Sequence, residues 1–375
     1  MTYLNEFNKI SWDDIKLDIN ATTRQQVLIA LNKKKPDFND FLALLSPVAS
    51  DFLAIMVNKS LEITRKRFGS VMQMFIPLYL SNKCSNICTY CGYSLNNKVP
   101  RKSLNIEEIK QEVDAIKKMG FDHILLVTGE AGNIGTDYFA KALEVIKPHF
   151  SHISLESQPL AEAEYARLKQ LGLDAVFVYQ ESYNQHCYKS YHLYGKKTNF
   201  NYRLETPDRI GKSGVDKIGL GFLIGLSDQW RTEAAIMANH LDYLEKSYWK
   251  CRYSISLPRL RPTKANQTSN SYITNKQLLQ LICAYRIYNN TVEISLSTRE
   301  SPELRDFLLP LGVTSISACS KTSPGGYAQN KNDKANLEQF TISDDRSIND
   351  IMQSIKKAGL DPVKKDWDYF YTASN

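Results

Sequence analysis

Three cysteines limit what this chain can be more than any other feature. Cys84, Cys88 and Cys91 fall in one short stretch, Lys83-Cys84-Ser85-Asn86-Ile87-Cys88-Thr89-Tyr90-Cys91-Gly92-Tyr93. It follows an apolar run, Val71 to Leu80, that reads as a strand. Any pairing of three thiols leaves one over, so a disulfide framework does not explain them. Thiolates are the ligands of iron–sulfur clusters, which normally take four. A loop that supplies three leaves one iron open to a ligand that is not protein. The competing reading is zinc, which usually takes four protein ligands, in two knuckles or with histidine partners. Here there is no second knuckle. Cys187, Cys251, Cys283 and Cys319 are isolated, and His123, His149, His152, His186, His192 and His240 show no metal-ligand spacing.

The rest of the composition narrows the class. A chain of 375 residues can bury one barrel-sized core or two smaller ones. The formal charge of +7 is spread along the sequence, so it does not argue for nucleic acid. No apolar run approaches a membrane span. The polar start Met1-Thr2-Tyr3-Leu4-Asn5-Glu6 has no signal-peptide pattern. Seven cysteines without a secretion signal point to the reducing cytoplasm.

Residues 1–70 read as helical, with Ser11-Trp12-Asp13-Asp14 as a helix start, and form an N-terminal extension. From Val71 short apolar strands alternate with helical patterns. The expected strands are 71–79, 122–128, 152–157, 174–180, 217–224, 252–257, 292–297 and 314–318. The helices run Ile106 to Met119, Tyr138 to Ile146, Ala161 to Leu171, Thr232 to Leu244 and Asn275 to Tyr288. Eight βα units predict a closed (β/α)8 TIM-type barrel over residues 71–318. Residues 319–375, rich in Ser, Asn, Asp and Lys, are expected to close the barrel or dock a partner. In this fold chemistry sits beyond the C-terminal ends of strands, and the cysteine loop follows the first strand.

CxxxCxxC with an aromatic residue before the last Cys resembles the signature of the radical S-adenosylmethionine (radical SAM) enzymes. That likeness implies a [4Fe-4S] cluster on Cys84, Cys88 and Cys91, with SAM on the open iron. It assigns Gly129 and Glu130, after the second strand, to the methionyl amino group. A helix N-terminal acid is the ordinary alternative for Glu130. Glu156 and Glu181, with Gln158 and Gln180 behind them, are candidates for the ribose. Tyr90 would shield the cluster and contact adenine. Arg299 ends the seventh strand, where a buried guanidinium needs an anion. It is the candidate for a substrate carboxylate, with Arg261 second. The competing reading of Arg299 is an internal ion pair with Glu300. Tyr183, Tyr188, Tyr191 and Tyr194 could form a lid or simply pack.

Further blocks make the likeness specific. They include Val127-Thr128-Gly129-Glu130, Gln158-Pro159-Leu160, Leu204-Glu205-Thr206-Pro207-Asp208-Arg209, Pro258-Arg259-Leu260-Arg261-Pro262, Ser295-Leu296-Ser297-Thr298-Arg299-Glu300, Lys321-Thr322-Ser323-Pro324-Gly325-Gly326-Tyr327 and Lys365-Asp366-Trp367-Asp368. The chain resembles the ThiH family, the radical SAM tyrosine lyases (2-iminoacetate synthases) of bacterial thiamine biosynthesis. The resemblance implies that a 5′-deoxyadenosyl radical takes hydrogen from the amino group of L-tyrosine. The Cα–Cβ bond then breaks to give 2-iminoacetate and p-cresol. It also implies a complex with thiazole synthase (ThiG), an electron donor such as flavodoxin or ferredoxin, and Ser317 as a second substrate contact. Relatives that make carbon monoxide and cyanide need a second cluster on C-terminal cysteines, and no cysteine follows Cys319. Tryptophan lyases share the barrel and differ in pocket shape. An iron–sulfur carrier is the non-enzymatic rival, and an RNA-modifying radical SAM enzyme would carry an added basic module.

Overall fold

The computed structural model describes residues 2–263, 273–328 and 338–364. The block Lys365-Asp366-Trp367-Asp368 lies outside them. Eight parallel strands form the centre. They are β1 (Val71–Ser81), β2 (His123–Thr128), β3 (His152–Glu156), β4 (Ala175–Phe177), β5 (Lys217–Gly221), β6 (Arg252–Ser256), β7 (Glu293–Leu296) and β8 (Ser315–Ser317). Each pairs with the next, and β8 returns to β1 through Gln73, Met74 and Phe75, which closes the barrel. The other edge of β1 pairs with β2 from Ile76 onward, while the short strand Asp361–Val363 takes Val71 to Gln73.

Side-chain alternation explains why these runs make strands with two buried faces. On β1, Met74, Ile76, Leu78 and Leu80 join the main core, whereas Phe75, Pro77 and Tyr79 line the central cavity. On β2, Ile124 and Leu126 face the core, and Leu125 and Val127 face the cavity. The surrounding helices start where polar caps permit. Ile106–Lys118 opens on an Asn105/Glu108 capping box and Asn275–Tyr288 on a Thr274/Gln277 box. Thr136–Ile146, Glu162–Gln170 and Trp230–Ser247 complete the set expected from periodicity.

Two strands end earlier than their apolar runs. β4 stops at Phe177 and β5 at Gly221, beyond which only single bridges such as Glu181 to Phe222 remain. Beside that bridge Glu181 takes φ of 69°, a left-handed backbone uncommon for a residue other than glycine. The tyrosine-rich connection after β4 is structured. Gln185–Tyr191 is a helix, and His192–Tyr194 pairs antiparallel with Ile87–Cys88 of the cysteine loop.

Helices Trp12–Ala21, Arg24–Asn32, Phe38–Leu45 and Leu53–Phe68 lie outside the barrel helices. Ser11 caps the first of them by accepting from Asp14 N–H. Gln280 on a barrel helix donates to the carbonyls of Leu44 and Ser46 at 2.9 and 2.8 Å, and Tyr3 stacks on His240 at 3.8 Å. No single helix among the described residues is long and apolar enough to cross a membrane.

The C-terminal segment is pinned to the barrel by Glu112, which is 1% exposed. Its carboxylate accepts from the N–H groups of Tyr327 and Ala328, both at 2.8 Å. Glu112→Ala removes two charge-assisted bonds and should cost about 1.5–3 kcal/mol. A thermal melt checks this, and an unchanged midpoint would show that the segment is anchored elsewhere.

Candidate active site

The loop after β1 has little regular structure, so its backbone groups must find partners elsewhere. Arg101 supplies several. Its Nη1 donates to the carbonyls of Asn82 and Tyr93 at 2.9 and 2.8 Å, and its Nη2 to Ser94 at 2.6 Å. The end of β2 clamps the other side, where Gly129 N–H donates to Ser81 and Ser85 N–H to Glu130. A Cβ on Gly129 would sit 2.3 Å from the Lys83 carbonyl oxygen and 3.3 Å from Cys84 Cβ. Only glycine permits that approach. From above, Gly92 N–H donates to Gln339 at 3.0 Å, and Tyr93 O–H to Thr322 at 2.5 Å.

The pairing of Ile87–Cys88 with His192–Tyr194 adds a fourth hold, so the cysteines arrive on a fixed loop. Cys88 is buried, and Cys84 and Cys91 pack beside Tyr79, Tyr93, Leu125 and Val127. Burial pushes the Cys91 thiol up to about 11, and Cys84 adds to the rise. Burial raises Cys88 further still. Such thiols stay protonated at neutral pH unless a metal's charge converts them to thiolates. N–H groups already point at two sulfurs: Asn86 Nδ2 lies 3.8 Å from Cys84 Sγ and Tyr93 N lies 3.4 Å from Cys91 Sγ. Among the described residues, no three His, Cys, Asp or Glu side chains converge on one point as a single ion requires.

Beside the loop the barrel mouth encloses about 1030 Å³, counting the part open to solvent. Tyr90, Cys91, Glu156, Glu181, Arg299 and Ser317 all line it. Gly129 and Glu130 border the cysteine loop rather than this wall. The Glu130 carboxylate accepts from Arg203 Nη1 and Asn86 Nδ2, both at 2.9 Å. Glu181 accepts from Lys197 Nζ at 2.7 Å. Burial alone would raise Glu181, but Lys197 and then Arg203 outweigh it and hold the carboxyl below its usual range. Gln158 turns away at the end of β3 and donates to the Ile134 carbonyl. Gln180 follows Tyr179, which faces the cavity, so it points to the opposite face. It is 4% exposed, and its amide atoms have no partner among the described residues.

Tyr90 O–H donates to His192 Nε2 at 2.8 Å. Burial holds His192 down to about 3, so the ring is neutral. Its Nδ1 lies 2.7 Å from the Tyr188 carbonyl and must carry the proton, which leaves Nε2 as the acceptor. Arg299 lies with its guanidinium 3.5 Å from the Phe340 ring centroid. Its internal-pair reading fails, because Glu300 is held by Arg259 and by Arg261 Nη2 at 2.9 Å. For the same reason Arg261 is not the uncommitted cation at the mouth. Ser317 Oγ accepts from Thr298 N–H at 3.1 Å.

Lys197, Arg203, Arg101 and Phe340 were not among the residues expected from sequence. Arg203 and Phe340 act across long separations, and none of the four sits at a strand end, the signal that pointed to the others.

Residues 78–237 match the Radical SAM superfamily, and residues 256–361 match the Biotin and Thiamin Synthesis associated domain. The 2-iminoacetate synthase of Escherichia coli (strain K12) is 49% identical over 98% of this chain and 97% of its own. That of Salmonella typhimurium is 48% identical over 98% and 97%. The chain belongs to the 2-iminoacetate synthase family. HydG, a maturase of the [FeFe]-hydrogenase, is 29% identical, with TM-score 0.85 over 98% of this chain and 80% of HydG. Methylornithine synthase (PylB) shares the fold at 18% identity and TM-score 0.72, covering 92% and 99% of the two chains. Membership makes this a radical SAM lyase and implies a [4Fe-4S] cluster and SAM. The N–H groups aimed at the Cys84 and Cys91 sulfurs fit such a cluster.

Gly129→Ala tests the clamp. The added methyl must displace the backbone that carries Cys84, so iron retained after anaerobic reconstitution should fall by more than half, with far-ultraviolet circular dichroism unchanged. Full iron loading in that variant would show that the contact is not needed.

Proposed function

We propose that this protein cleaves the Cα–Cβ bond of L-tyrosine to 2-iminoacetate and p-cresol, converting SAM to methionine and 5′-deoxyadenosine. The product would supply the thiazole branch of thiamine synthesis. Near-identical length and about half the residues shared with two 2-iminoacetate synthases support this. The observation that carries it is Arg299, a guanidinium without a carboxylate partner among the described residues, in the same cavity as Cys91.

Cys84, Cys88 and Cys91 would hold the cluster and leave one iron for SAM. Bound together, these groups supply a carbon-centred radical that removes hydrogen from the substrate. The protein's own work is positional. Arg299 binds the substrate carboxylate in a fork, with the Phe340 ring behind it fixing the plane of the guanidinium. Ser317 Oγ already accepts from Thr298, so its proton is free to reach a carboxylate oxygen. Tyr90, held by neutral His192, covers the side of the loop that faces the cavity. Glu130 and Gly129 orient the methionyl end of SAM, and Glu181 with Lys197 stands near the ribose. The strap at Gln339 and Phe340 limits water at the mouth.

We assign residues 1–70 as an extension, 71–318 as the catalytic barrel and 319–375 as the closing segment. The imine hydrolyses in water, which favours direct transfer within a complex with thiazole synthase. A flavodoxin or ferredoxin would supply two electrons, one for the cleavage of SAM and one that, with a proton, converts the 4-hydroxybenzyl radical to p-cresol, and the oxygen-sensitive cluster suits the cytoplasm.

Reconstituted protein incubated anaerobically with SAM, a reductant and L-tyrosine should form p-cresol and 5′-deoxyadenosine in step. Deoxyadenosine without p-cresol would redirect the reading to another amino acid, tryptophan first. Arg299→Ala should keep iron content and SAM binding while kcat/KM for tyrosine falls by about thirtyfold or more, the effect of breaking a buried charged pair. Unchanged tyrosine affinity would remove Arg299 from the site.

A further inference from the structure

The cavity holds a second uncommitted charge, opposite in sign to Arg299. Glu156 ends β3, in register with Val127 on β2 and Phe177 on β4. Both neighbours are apolar and offer no donor. Among the described residues Glu156 has no hydrogen bond or ion pair, although it lines the same cavity as Arg299. The other carboxylate on that wall, Glu181, is taken by Lys197. Glu130 is taken by Arg203, and Glu300 by Arg259 and Arg261.

A carboxylate and a guanidinium buried in one cavity and not joined to each other are each costly, because desolvation is not offset by a partner. The arrangement becomes favourable when a ligand that carries both charges comes between them. An α-amino acid is such a ligand. Its carboxylate suits the fork of Arg299, and its ammonium suits a carboxylate acceptor. The ribose of SAM, the role sequence pointed to for Glu156, offers hydroxyls and no positive charge to match it.

We propose that Glu156 binds the α-amino group of the substrate, and that Glu156 and Arg299 together read its zwitterion and set which N–H faces the reaction. This rests on the amino-acid lyase reading above. The surroundings of Glu156 give the assignment a pH signature. Burial pushes its carboxyl up to about 7 and the charge of Glu181 adds to this, while Arg299, Lys197 and Arg203 oppose. Tyr79 and Tyr179 also face it, and burial keeps both phenols protonated. Glu156 is therefore ionised above about pH 7 and neutral below it. The substrate ammonium stays charged throughout that range. Recognition of the amino group should be present above pH 7 and lost as the pH falls.

The test compares L-tyrosine with 3-(4-hydroxyphenyl)propionate, which keeps the phenol and the carboxylate and lacks the amine. Binding of each to the reconstituted holoenzyme with SAM is measured by anaerobic equilibrium dialysis. At about pH 8 tyrosine should be preferred by about tenfold or more, with the preference shrinking toward about pH 6. In Glu156→Gln the preference should collapse at every pH, with iron content, SAM affinity and affinity for the propionate unchanged. A retained preference in the variant overturns the proposal. So does a loss of SAM affinity with the preference intact, which would return Glu156 to the cofactor. Should the variant fail to fold, the wild-type series decides, because a preference that is flat with pH overturns the assignment. If p-cresol forms while the preference is flat, only this proposal fails. If the wild type binds neither compound and makes no p-cresol, the lyase reading fails with it.

Discussion

The site depends on how an irregular loop is held still. The residues between Ser81 and Arg101 carry backbone donors and acceptors that no helix or long strand satisfies. Four bodies satisfy them instead: the end of β2 through Gly129 and Glu130, the guanidinium fork of Arg101, the C-terminal strap through Gln339 and Thr322, and the segment Tyr191 to Tyr194 that pairs with Ile87–Cys88. Each is chemically specific. A β-carbon at Gly129 would collide with the Lys83 carbonyl, and one at Gly92 would lie 2.5 Å from the Glu338 carbonyl. Lysine could not reproduce the several directed bonds of Arg101. The strap touches both the cysteine loop, through Gln339, and Arg299, through Phe340.

The strands and helices were legible because their signals are local. His123 to Val127 is an apolar run with two buried faces, and Asn105 with Glu108 spells a helix start within four residues. The cysteine spacing and the strand-end position of Arg299 were legible in the same way. The partners of Glu130, Glu181 and Glu300 were not. Arg203 lies 73 positions from Glu130, and Arg259 lies 41 from Glu300, so the pairs are made by barrel closure rather than by any short pattern. Gln180 shows the same limit at single-residue scale. A polar residue near a strand end faces the mouth or its opposite according to register, and a shift of one residue reverses it.

The upper barrel has room on the side of β6, β7 and β8 because their inward residues are small. Ser256, Ser295, Ser297 and Ser317 line the cavity where packed barrels of this kind carry branched apolar side chains. Phe177 fills one side by lying against Gly219, where a Cβ would sit 1.7 Å from its ring. An interior that is open for ligands cannot also hold the strands apart by packing. That task falls to the outer layer, where Ile124, Leu126, Ile153 and Leu155 meet the helices in one continuous core.

Two kinds of charge result, and they do different work. Glu130 with Arg203, and Glu181 with Lys197, are matched within the protein and lie beside the cysteine loop. Matched pairs hold their geometry before any ligand arrives, which is what a cluster-binding loop needs. Arg299 and Glu156 are left unmatched among the described residues in the same cavity. Their desolvation is a standing cost that only a bound ligand offsets, so ligand binding stabilises this part of the fold as well as filling it. A neutral or singly charged molecule of the same size would offset only part of that cost. Selection for a zwitterion is therefore built into which charges the barrel pairs and which it leaves alone.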